Sequence, residues 1–515
     1  MSVVNILTLA RDADNTIDVS TAYYEMNTKA ENLSEDVVTF VEAAVADVDA
    51  AVAETKESIE AKMDELTSMN PASLASGVMA PMGELGAGLC VCPSADLPEG
   101  MVGLPGHTDR NSANWGNYEF SDGSVECCIG KFYYKITGND ISILGAGDFP
   151  NTVAANIAGY ALHRAFIDGG EEKSCVFVDK YMVSKNAKGT GYIASSLAGG
   201  LPISTAAGHN PIADLTACTG NYYYECITAA HARDGVDGAV NPDSIFFATT
   251  RFIESALAMQ SMAHAQACTS TAYCAWWGAS NNFPKGCNNN ALRDVNDTTV
   301  LYESDGYSNC AKTGTGDPFA KTTHNGQACG VADLNGLMYE VNLGLTRPGL
   351  SASDTTQQDD ASAFYVLKES VEARTLTAGW NGTDDAWGDA THLATLYDQI
   401  TLSQISNDAT MRYGNGSNQV LSGDTSGDGY KMAGLGIPKD SSAKSSGGTD
   451  LFGNDYFYEY HRANLCVRSC YNWSSATSAG PWACDLSYYR SNSYSAVGFR
   501  CACYPVSQRD SAAVA

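Results

Sequence analysis

The sequence is poor in positive charge and contains no long apolar run. Its 515 residues carry 30 Lys and Arg against 59 Asp and Glu, which gives a formal net charge of −29. Such acidity repels nucleic acid and anionic membranes, so neither is expected as a partner. No stretch approaches the roughly 20 apolar residues of a membrane span, and the amino-terminal MSVVNILTLARDADN lacks the features of a secretory signal. We therefore expect synthesis in a cytoplasm and no membrane insertion.

The sequence also lacks the common catalytic motifs. GxSxG, HExxH, GxxxxGK[ST] and a strand-linked GxGxxG are absent, and the eight His occur singly, without a metal-ligand partner at helical spacing. The stretch from Asp424 to Gly429 begins like a calcium loop, but Leu435 stands where that loop requires Glu, so a turn is favoured. These residues predict no catalytic group, no cofactor and no metal site.

Cysteine, in contrast, is abundant, with 17 residues scattered along the chain. Their spacing does not include the tandem CxxC pairs of a zinc site. Because no export signal is recognised, we expect most of them to be buried thiols that act as small hydrophobic side chains. The alternative is a partial set of disulfides formed after release from the cell.

Residues 35–68 have the pattern of one long helix. Apolar or small residues recur there in alternating steps of three and four, the heptad spacing of a coiled coil. They are Val38, Val41, Val45, Val48, Val52, Thr55, Ile59 and Leu66. A seam this narrow cannot be stable alone, so the helix is expected either to associate with its own copies as a stalk or to lie against its own domain. Residues 1–70 are accordingly predicted to be a helical stalk or attachment region.

The rest of the chain predicts a mixed α and β protein. Residues 71–115, rich in Gly, Pro, Ala and Met, are expected to form an irregular connector, and residues 506–515 a tail. Strand patterns follow from residue 116, at 118–120, 125–136, 141–144 and 175–184.

Two further segments complete the prediction. Residues 241–267 read as a helix with Asn241 as its N-cap and Pro242 in its first turn. Residues 346–450 are polar and turn-rich and are expected to be long surface loops.

Four segments together resemble one family. They are residues 122–138, 163–184, 330–341 and 467–500, the last reading VRSCYNWSSATSAGPWACDLSYYRSNSYSAVGFR. They resemble the formylglycine-generating-enzyme-like branch of the C-type lectin fold, and more closely the variable proteins of diversity-generating retroelements, such as phage tail receptor-binding proteins. The terminal segment carries most of this resemblance, through Arg468, Trp473, Arg490, Ser491, Val497, Gly498, Phe499 and Arg500.

The resemblance implies an α+β fold: a C-type lectin-like domain at 116–505 with long loop insertions, preceded by an N-terminal α-helical coiled-coil stalk. It implies a scaffold that includes Trp473, Trp482, Phe499 and Arg500, and a variable ligand-binding face at 471–496. The candidate contact residues are Tyr471, Ser474, Ser475, Thr477, Ser478, Cys484, Asp485, Ser487, Tyr488, Tyr489, Tyr494, Ser495 and Ala496.

The composition of this segment agrees with such a face. Tyr supplies large, rigid contact area, and Ser and Asn supply adaptable hydrogen bonds. In the retroelement family, adenine mutation of Asn codons never yields Lys, Glu, Gln, Met or Trp. Residues 474–496 contain none of these five except Trp482. The alternative is a Ser/Tyr-rich surface loop without programmed variation.

The resemblance further implies a non-enzymatic protein at the tail tip or fibre of a virion, which adsorbs the particle to its host. Its partners would be a host cell-surface receptor, protein or glycan, and tail or baseplate proteins bound through the N-terminal region, with the chain as a homotrimer. Two alternatives remain open. One is a copper-dependent formylglycine-generating oxidase that uses Cys466 and Cys470, and the other is a variable binding protein of a cell surface.

Overall fold

The chain divides into two units in the computed structural model, Met1–Pro71 and Ala72–Ala515. In the second unit the structure describes residues 77–278, 291–349, 354–357, 364–378, 390–402, 409–413, 420–440, 452 and 454–506. In the first it describes residues 37–39, 42–43, 45–46, 50 and 52. None of the helices within these ranges has the length and apolar character to cross a membrane.

Every described residue of the first unit is helical. Among them Val38, Val45 and Val52 follow one another at heptad spacing, and all three are exposed. The remaining positions of the predicted 35–68 helix lie outside the described residues.

The second unit is a mixed α and β structure in which strands predominate. The described residues form 22 strands: β1 Met101–Gly103, β2 Asn117–Phe120, β3 Val125–Gly130, β4 Phe132–Thr137, β5 Asp140–Gly145, β6 Ala161–Leu162, β7 Ile167–Asp168, β8 Glu171–Glu172, β9 Cys175–Asp179, β10 Val183–Lys188, β11 Gly191–Ser196, β12 Phe246–Ala248, β13 Tyr339–Asn342, β14 Leu345–Thr346, β15 Phe364–Leu367, β16 Tyr397–Ile400, β17 Ala409–Arg412, β18 Tyr456–Glu459, β19 Val467–Ser469, β20 Cys484–Asp485, β21 Val497–Gly498 and β22 Cys501–Cys503. The predicted strands at 118–120, 125–136, 141–144 and 175–184 are confirmed as β2, β3 with β4, β5, and β9 with the start of β10.

Two six-stranded sheets organise these strands. The first has the order β1-β2-β3-β9-β22-β12 and the second the order β17-β18-β20-β19-β13-β21. Smaller sheets are β10-β11, β14-β15-β16, β5-β4-β6 and β7-β8. Within the second sheet, β13 pairs with β21 and β18 with β20 in parallel, and its other neighbours pair antiparallel.

Five α-helices accompany the sheets in the described part of this unit: α1 Thr152–Ile157, α2 Glu225–His231, α3 Arg251–Ala267, α4 Ala390–Leu396 and α5 Gly427–Gly434. Short 3₁₀ turns occur at Ser94–Asp96, Ala146–Asp148, Arg164–Phe166, Ile212–Asp214, Val236–Gly238, Phe319–Thr322, Ala373–Thr375 and Ala476–Ser478. Helix α3 is buried along nearly its whole length, so it is a core helix and does not present a single apolar face.

The predicted start of the 241–267 helix is wrong. Helix α3 begins at Arg251, and its cap is Thr250, whose hydroxyl accepts a hydrogen bond from the backbone N–H of Ile253. The preceding aromatic run pairs as β12 with β22, because its side chains fit a buried sheet better than a helix start. Asn241 instead accepts a hydrogen bond from the backbone of Asp243 in a turn.

The predicted connector at 71–115 is part of the folded unit from residue 77 onward. Leu89, Cys90 and Trp115 are completely buried, and β1 pairs with β2. The segment is irregular, as expected, but it contributes to the hydrophobic core. A Gly- and Met-rich sequence is compatible with both roles, and the hydrophobic effect favours burial of its apolar residues.

The predicted surface loops at 346–450 are wrong in part. Strands β15 and β16 complete a three-stranded sheet with β14, and Phe364, Val366 and Ile400 on them are buried. The turn favoured for the calcium-like stretch at 424–429 is wrong in part, because helix α5 begins within it at Gly427. Much of the remaining loop region lies outside the described residues.

The 16 described cysteines are all buried, and no disulfide joins any two of them. This confirms, for the described part of the chain, the prediction of buried thiols.

Candidate functional site

The second six-stranded sheet has one face in the core and one face turned outward. On β18, Phe457 and Glu459 are fully buried, whereas Tyr456 and Tyr458 are partly exposed, and so is Tyr460 just beyond the strand. This alternation follows from the period-2 geometry of a strand, in which successive side chains point to opposite faces.

The register extends this outward face across the sheet. Tyr458 pairs with Asp485 of β20, and Asp485 pairs with Arg468 of β19. On the other side, Tyr456 pairs with Arg412 of β17. Residues directly opposite each other on neighbouring strands share a face, so the outward face combines tyrosines with two arginines and one aspartate.

Buried and half-buried arginines hold the tyrosine rings. The Arg468 guanidinium lies 4.0 Å from the ring centre of Tyr339 and 3.3 Å from that of Tyr488, and it forms an ion pair with Asp485. Burial alone would lower the pKa of Arg468. Asp485 and the neighbouring tyrosines raise this pKa by more than burial lowers it, so the guanidinium stays charged. Cation–π contacts of this kind stabilise the rings by about 0.5 to 2 kcal/mol each.

Two more arginines repeat this arrangement. Arg412 lies 4.7 Å from the ring centre of Tyr456. Arg462 lies 4.6 Å from that of Tyr460 and 5.9 Å from that of Tyr489. We call the resulting surface the tyrosine face; its partly exposed members are Tyr339, Tyr456, Tyr458, Tyr460, Tyr488 and Tyr489.

Nine of the predicted contact residues are at least partly exposed. They are Ser474, Ser475, Thr477, Ser478, Ser487, Tyr488, Tyr489, Tyr494 and Ser495. Tyr488 and Tyr489 belong to the tyrosine face itself, and Ser487 donates hydrogen bonds to Asp485 through its backbone N–H and its hydroxyl. The predicted segment therefore adjoins the outward face of the sheet.

The structure corrects the other four predicted contact residues, which are buried: Tyr471, Cys484, Asp485 and Ala496. Cys484 lies on the core side of β20, and burial raises the pKa of its thiol to about 11. Asp485 is occupied by its ion pair with Arg468. Ala496 packs in a small apolar cluster with Trp473. Buried residues and exposed residues follow one another in short groups along the segment, and its composition alone does not show which residues are buried.

Tyr471 is a supporting residue of the tyrosine face. Its ring centre lies 4.9 Å from that of Tyr339 and 5.5 Å from that of Tyr456, and it packs against Ala479 and Ala483. Burial raises the pKa of its hydroxyl, so the side chain stays neutral. Its backbone has a positive φ of 59°, in the left-handed region that few residues other than glycine adopt.

The serine-rich stretch is a turn organised by Asn472. The side-chain oxygen of Asn472 accepts hydrogen bonds from the backbone N–H of Ser474 at 3.0 Å and from the Ser475 hydroxyl at 3.0 Å. Ser478 accepts a hydrogen bond from Arg412 at 3.2 Å, which connects this turn to the tyrosine face.

The last part of the segment is held by a separate loop. The backbone carbonyl of Tyr494 accepts a hydrogen bond from the Thr205 hydroxyl at 3.1 Å. One ring nitrogen of His209 lies 2.6 Å from the carbonyl of Ser495, and the other lies 2.6 Å from the Asp305 carboxylate. Cys310 is close to the same pair. The two imidazole nitrogens thus connect the Ser495 backbone to the Asp305 side chain, and His209 positions the chain here.

The residues expected to form the scaffold are buried. Trp482 stacks on Tyr413 with ring centres 5.0 Å apart, and Phe499 is completely buried. Trp473 packs edge-on against His209 at 5.9 Å. Arg500 donates two hydrogen bonds to Glu340.

Cys466 and Cys470, the metal pair of the oxidase alternative, have different surroundings. Burial raises the pKa of Cys466 to about 12, and its charged neighbours are Arg490 and Arg468. Burial also raises the pKa of Cys470, which lies 3.9 Å from a Glu254 oxygen. Cys466 therefore lies near arginines, whereas Cys470 lies near a carboxyl group.

Four members of the tyrosine face, Tyr339, Tyr456, Tyr458 and Tyr460, were not among the predicted contact residues. For three of them the sequence contained a signal, because tyrosine occupies every second position of 456–460, which indicates a strand with its tyrosines on one face. Tyr339 had no comparable local signal, because only the pairing of β13 with β19 brings it next to Arg468.

No protein-family model matches the chain, and no curated protein is significantly similar to it.

Proposed function

We propose that this chain is a host-receptor recognition protein of a phage particle, which binds its receptor through the tyrosine face and the adjoining serine-rich segment. The observation that carries the proposal is the outward face of the second sheet, where partly exposed tyrosine rings are in contact with arginine guanidinium groups. Aromatic side chains of this kind bury large area at small entropic cost when a partner covers them.

The arrangement suits a broad contact surface. Six tyrosines lie on or beside one sheet, and serine hydroxyls of the 471–496 segment border them. Rings that are already positioned lose little freedom on binding, which favours affinity. A protein or glycan receptor offers the apolar and hydrogen-bonding groups that such a surface can contact.

The virion context and the C-type lectin-like scaffold rest on the sequence resemblance. The burial of Trp473, Trp482, Phe499 and Arg500 supports it, because those positions match the family's scaffold. Variation confined to the exposed positions of 471–496 would alter the surface and leave this scaffold intact. Attachment to tail or baseplate proteins is assigned to the N-terminal unit, and the proposed oligomer is a homotrimer.

The N-terminal helix provides a test of self-association. Replacing Val45 with Asp should reduce the mass of the assembled protein in solution, because a charge in the heptad seam opposes helix packing. Ala46→Asp introduces the same charge at the neighbouring exposed position and should leave assembly unchanged. Light scattering at micromolar concentration measures both variants, and a monomeric wild-type chain would contradict the proposed trimer.

The tyrosine face itself is tested by alanine substitution of Tyr460 and Tyr489. Each should weaken adsorption of the full-length protein to host cells about thirtyfold, which corresponds to roughly 2 kcal/mol for an aromatic residue central to an interface. The melting temperature should change little, because both rings are partly exposed. Cells of the strain on which the particle grows provide the binding measurement.

The matched control is Tyr192→Ala, an exposed tyrosine on β11 in a different sheet. It should adsorb like the wild type. Should the Tyr460 and Tyr489 variants adsorb normally but melt early, these rings are structural and the tyrosine face is not the receptor-binding surface.

A further inference from the structure

Four cysteines from three parts of the chain converge beside the first six-stranded sheet. Cys128 lies on β3, and Cys175 is the first residue of β9. These two strands are neighbours in the sheet and pair antiparallel. Cys90 and Cys92 lie on the segment that runs along β3, where the Cys90 backbone N–H donates to the Cys128 carbonyl at 3.0 Å. The Cys92 backbone N–H donates to the Tyr118 hydroxyl at 2.9 Å. All four cysteines are buried.

The sulfur atoms of Cys90, Cys128 and Cys175 lie within 4.8 Å of one another, and those of Cys90 and Cys128 are 3.5 Å apart. In a tetrahedral thiolate site with metal–sulfur bonds of about 2.3 Å, the sulfurs are about 3.8 Å apart. A disulfide would require about 2.05 Å. The observed spacing therefore fits metal ligands better than a bonded pair.

Cys92 completes the group. Its side chain forms hydrogen bonds with the thiols of Cys128 and Cys175, so its sulfur lies beside two of the three mutually close sulfur atoms. A fourth sulfur in this position gives the Cys₄ set typical of structural zinc sites.

We propose that Cys90, Cys92, Cys128 and Cys175 bind one zinc ion in a closed structural site. Four sulfur ligands leave no open coordination position, so the ion has a structural role. The thiols that are still protonated release their protons to solvent when the ion binds. The site fastens the irregular 89–92 segment to β3 and β9 and so connects the beginning of the folded unit to its central sheet.

The first test is the metal content of the full-length protein, purified under reducing conditions without chelator and then loaded anaerobically with zinc. Mass spectrometry of the metal should give about one zinc per chain after free ion is removed. The Cys128→Ser and Cys175→Ser variants should lose at least nine tenths of this zinc. Cys226→Ser, which alters a buried thiol of helix α2 outside the group, should retain it.

A second measurement does not depend on variants that fold. Cobalt loaded into the wild-type chain should show thiolate charge-transfer bands and the visible spectrum of a tetrahedral ion, and X-ray absorption of the zinc form should show four sulfur neighbours. The proposal is overturned if the loaded wild type holds no zinc, if the Cys128 variant holds as much as the wild type, or if peptide mapping finds Cys90 and Cys128 joined in a disulfide.

Discussion

Replacing Arg500 with Met is expected to lower the free energy of unfolding by about 3 to 5 kcal/mol, the effect of breaking a buried ion pair by removing one partner. Arg500 is completely buried and donates to the two Glu340 oxygens at 2.6 and 2.7 Å. It also donates to the carbonyls of Asp179 at 2.8 Å and Ala332 at 3.0 Å. Without the guanidinium, the Glu340 carboxylate and both carbonyls would remain in the core with no donor.

Arg500 connects the two large sheets, which is why the effect should be global. Its own position precedes β22 of the first sheet, Asp179 ends β9 of the same sheet, and Glu340 lies on β13 of the second. The Asp179 carboxylate in turn accepts a hydrogen bond from the backbone N–H of Cys501 at 2.5 Å and one from Arg233 at 2.6 Å. Losing Arg500 therefore removes bonds that join one sheet to the other.

Urea denaturation at neutral pH measures this effect. Adding Glu340→Gln to Arg500→Met should recover part of the lost stability, because the uncompensated charge disappears. The control is Arg374→Met, since Arg374 pairs with Glu372 at 2.7 Å on the surface and should change stability by less than about 1 kcal/mol. A loss of under 1 kcal/mol for Arg500→Met would show that the buried pair does not stabilise the fold.

Local sequence patterns predicted the elements whose side chains alternate or repeat within a few residues. The strands β2 to β5 and β9 belong to this group, and so does the body of helix α3. The start of that helix was not predictable in the same way, because β12 is selected by its pairing with β22, about 250 residues later in the chain. Tertiary pairing overrode a plausible N-cap at Asn241.

The contacts of the buried arginines and of the cysteine group could not be predicted from the sequence either, because they also join residues that are distant in the chain. Arg233 reaches Asp122, Glu126 and Asp179, which lie 54 to 111 residues away. The sulfurs of Cys90 and Cys128 meet over a separation of 38 residues. Spacing rules recognise ligands that are neighbours in sequence, whereas here the sheet register brings them together.

The candidate site was predictable in outline. The aromatic and serine-rich composition of 471–496 indicated a binding segment, but composition did not distinguish partly exposed Tyr489 from buried Tyr471. Tyr471 has a positive φ and packs against Ala479 and Ala483, whereas the ring of Tyr489 contacts Arg462. Both are properties of the folded chain.

Glu254 is expected to make the protein less stable as pH rises from about 5 to 8. Burial, together with the nearby Glu340 carboxylate, raises the pKa of Glu254 to about 8, although Arg500 and Arg251 oppose the rise. Cys470, whose pKa is also raised, lies 3.9 Å away. In the unfolded chain the pKa of a Glu is about 4.3.

The sign follows from where the proton is held. Between these two pKa values the unfolded chain has lost the Glu254 proton while the folded chain keeps it, so higher pH favours unfolding. The contribution is fully present below about pH 4 and is lost as pH rises to about 8. At roughly 1.4 kcal/mol per pKa unit, the total loss from this one group is about 5 kcal/mol.

Glu254→Gln isolates this contribution, because the amide imitates the protonated carboxyl group. The variant should match the wild type within about 1 kcal/mol at pH 5 and exceed it by several kcal/mol at pH 8 in urea denaturation. Glu303→Gln, a surface variant beside Lys312, should follow the wild-type pH profile. If Glu254→Gln also follows that profile, Glu254 is ionised in the folded chain, and the buried Arg500 and Arg251 balance the charges of both Glu254 and Glu340.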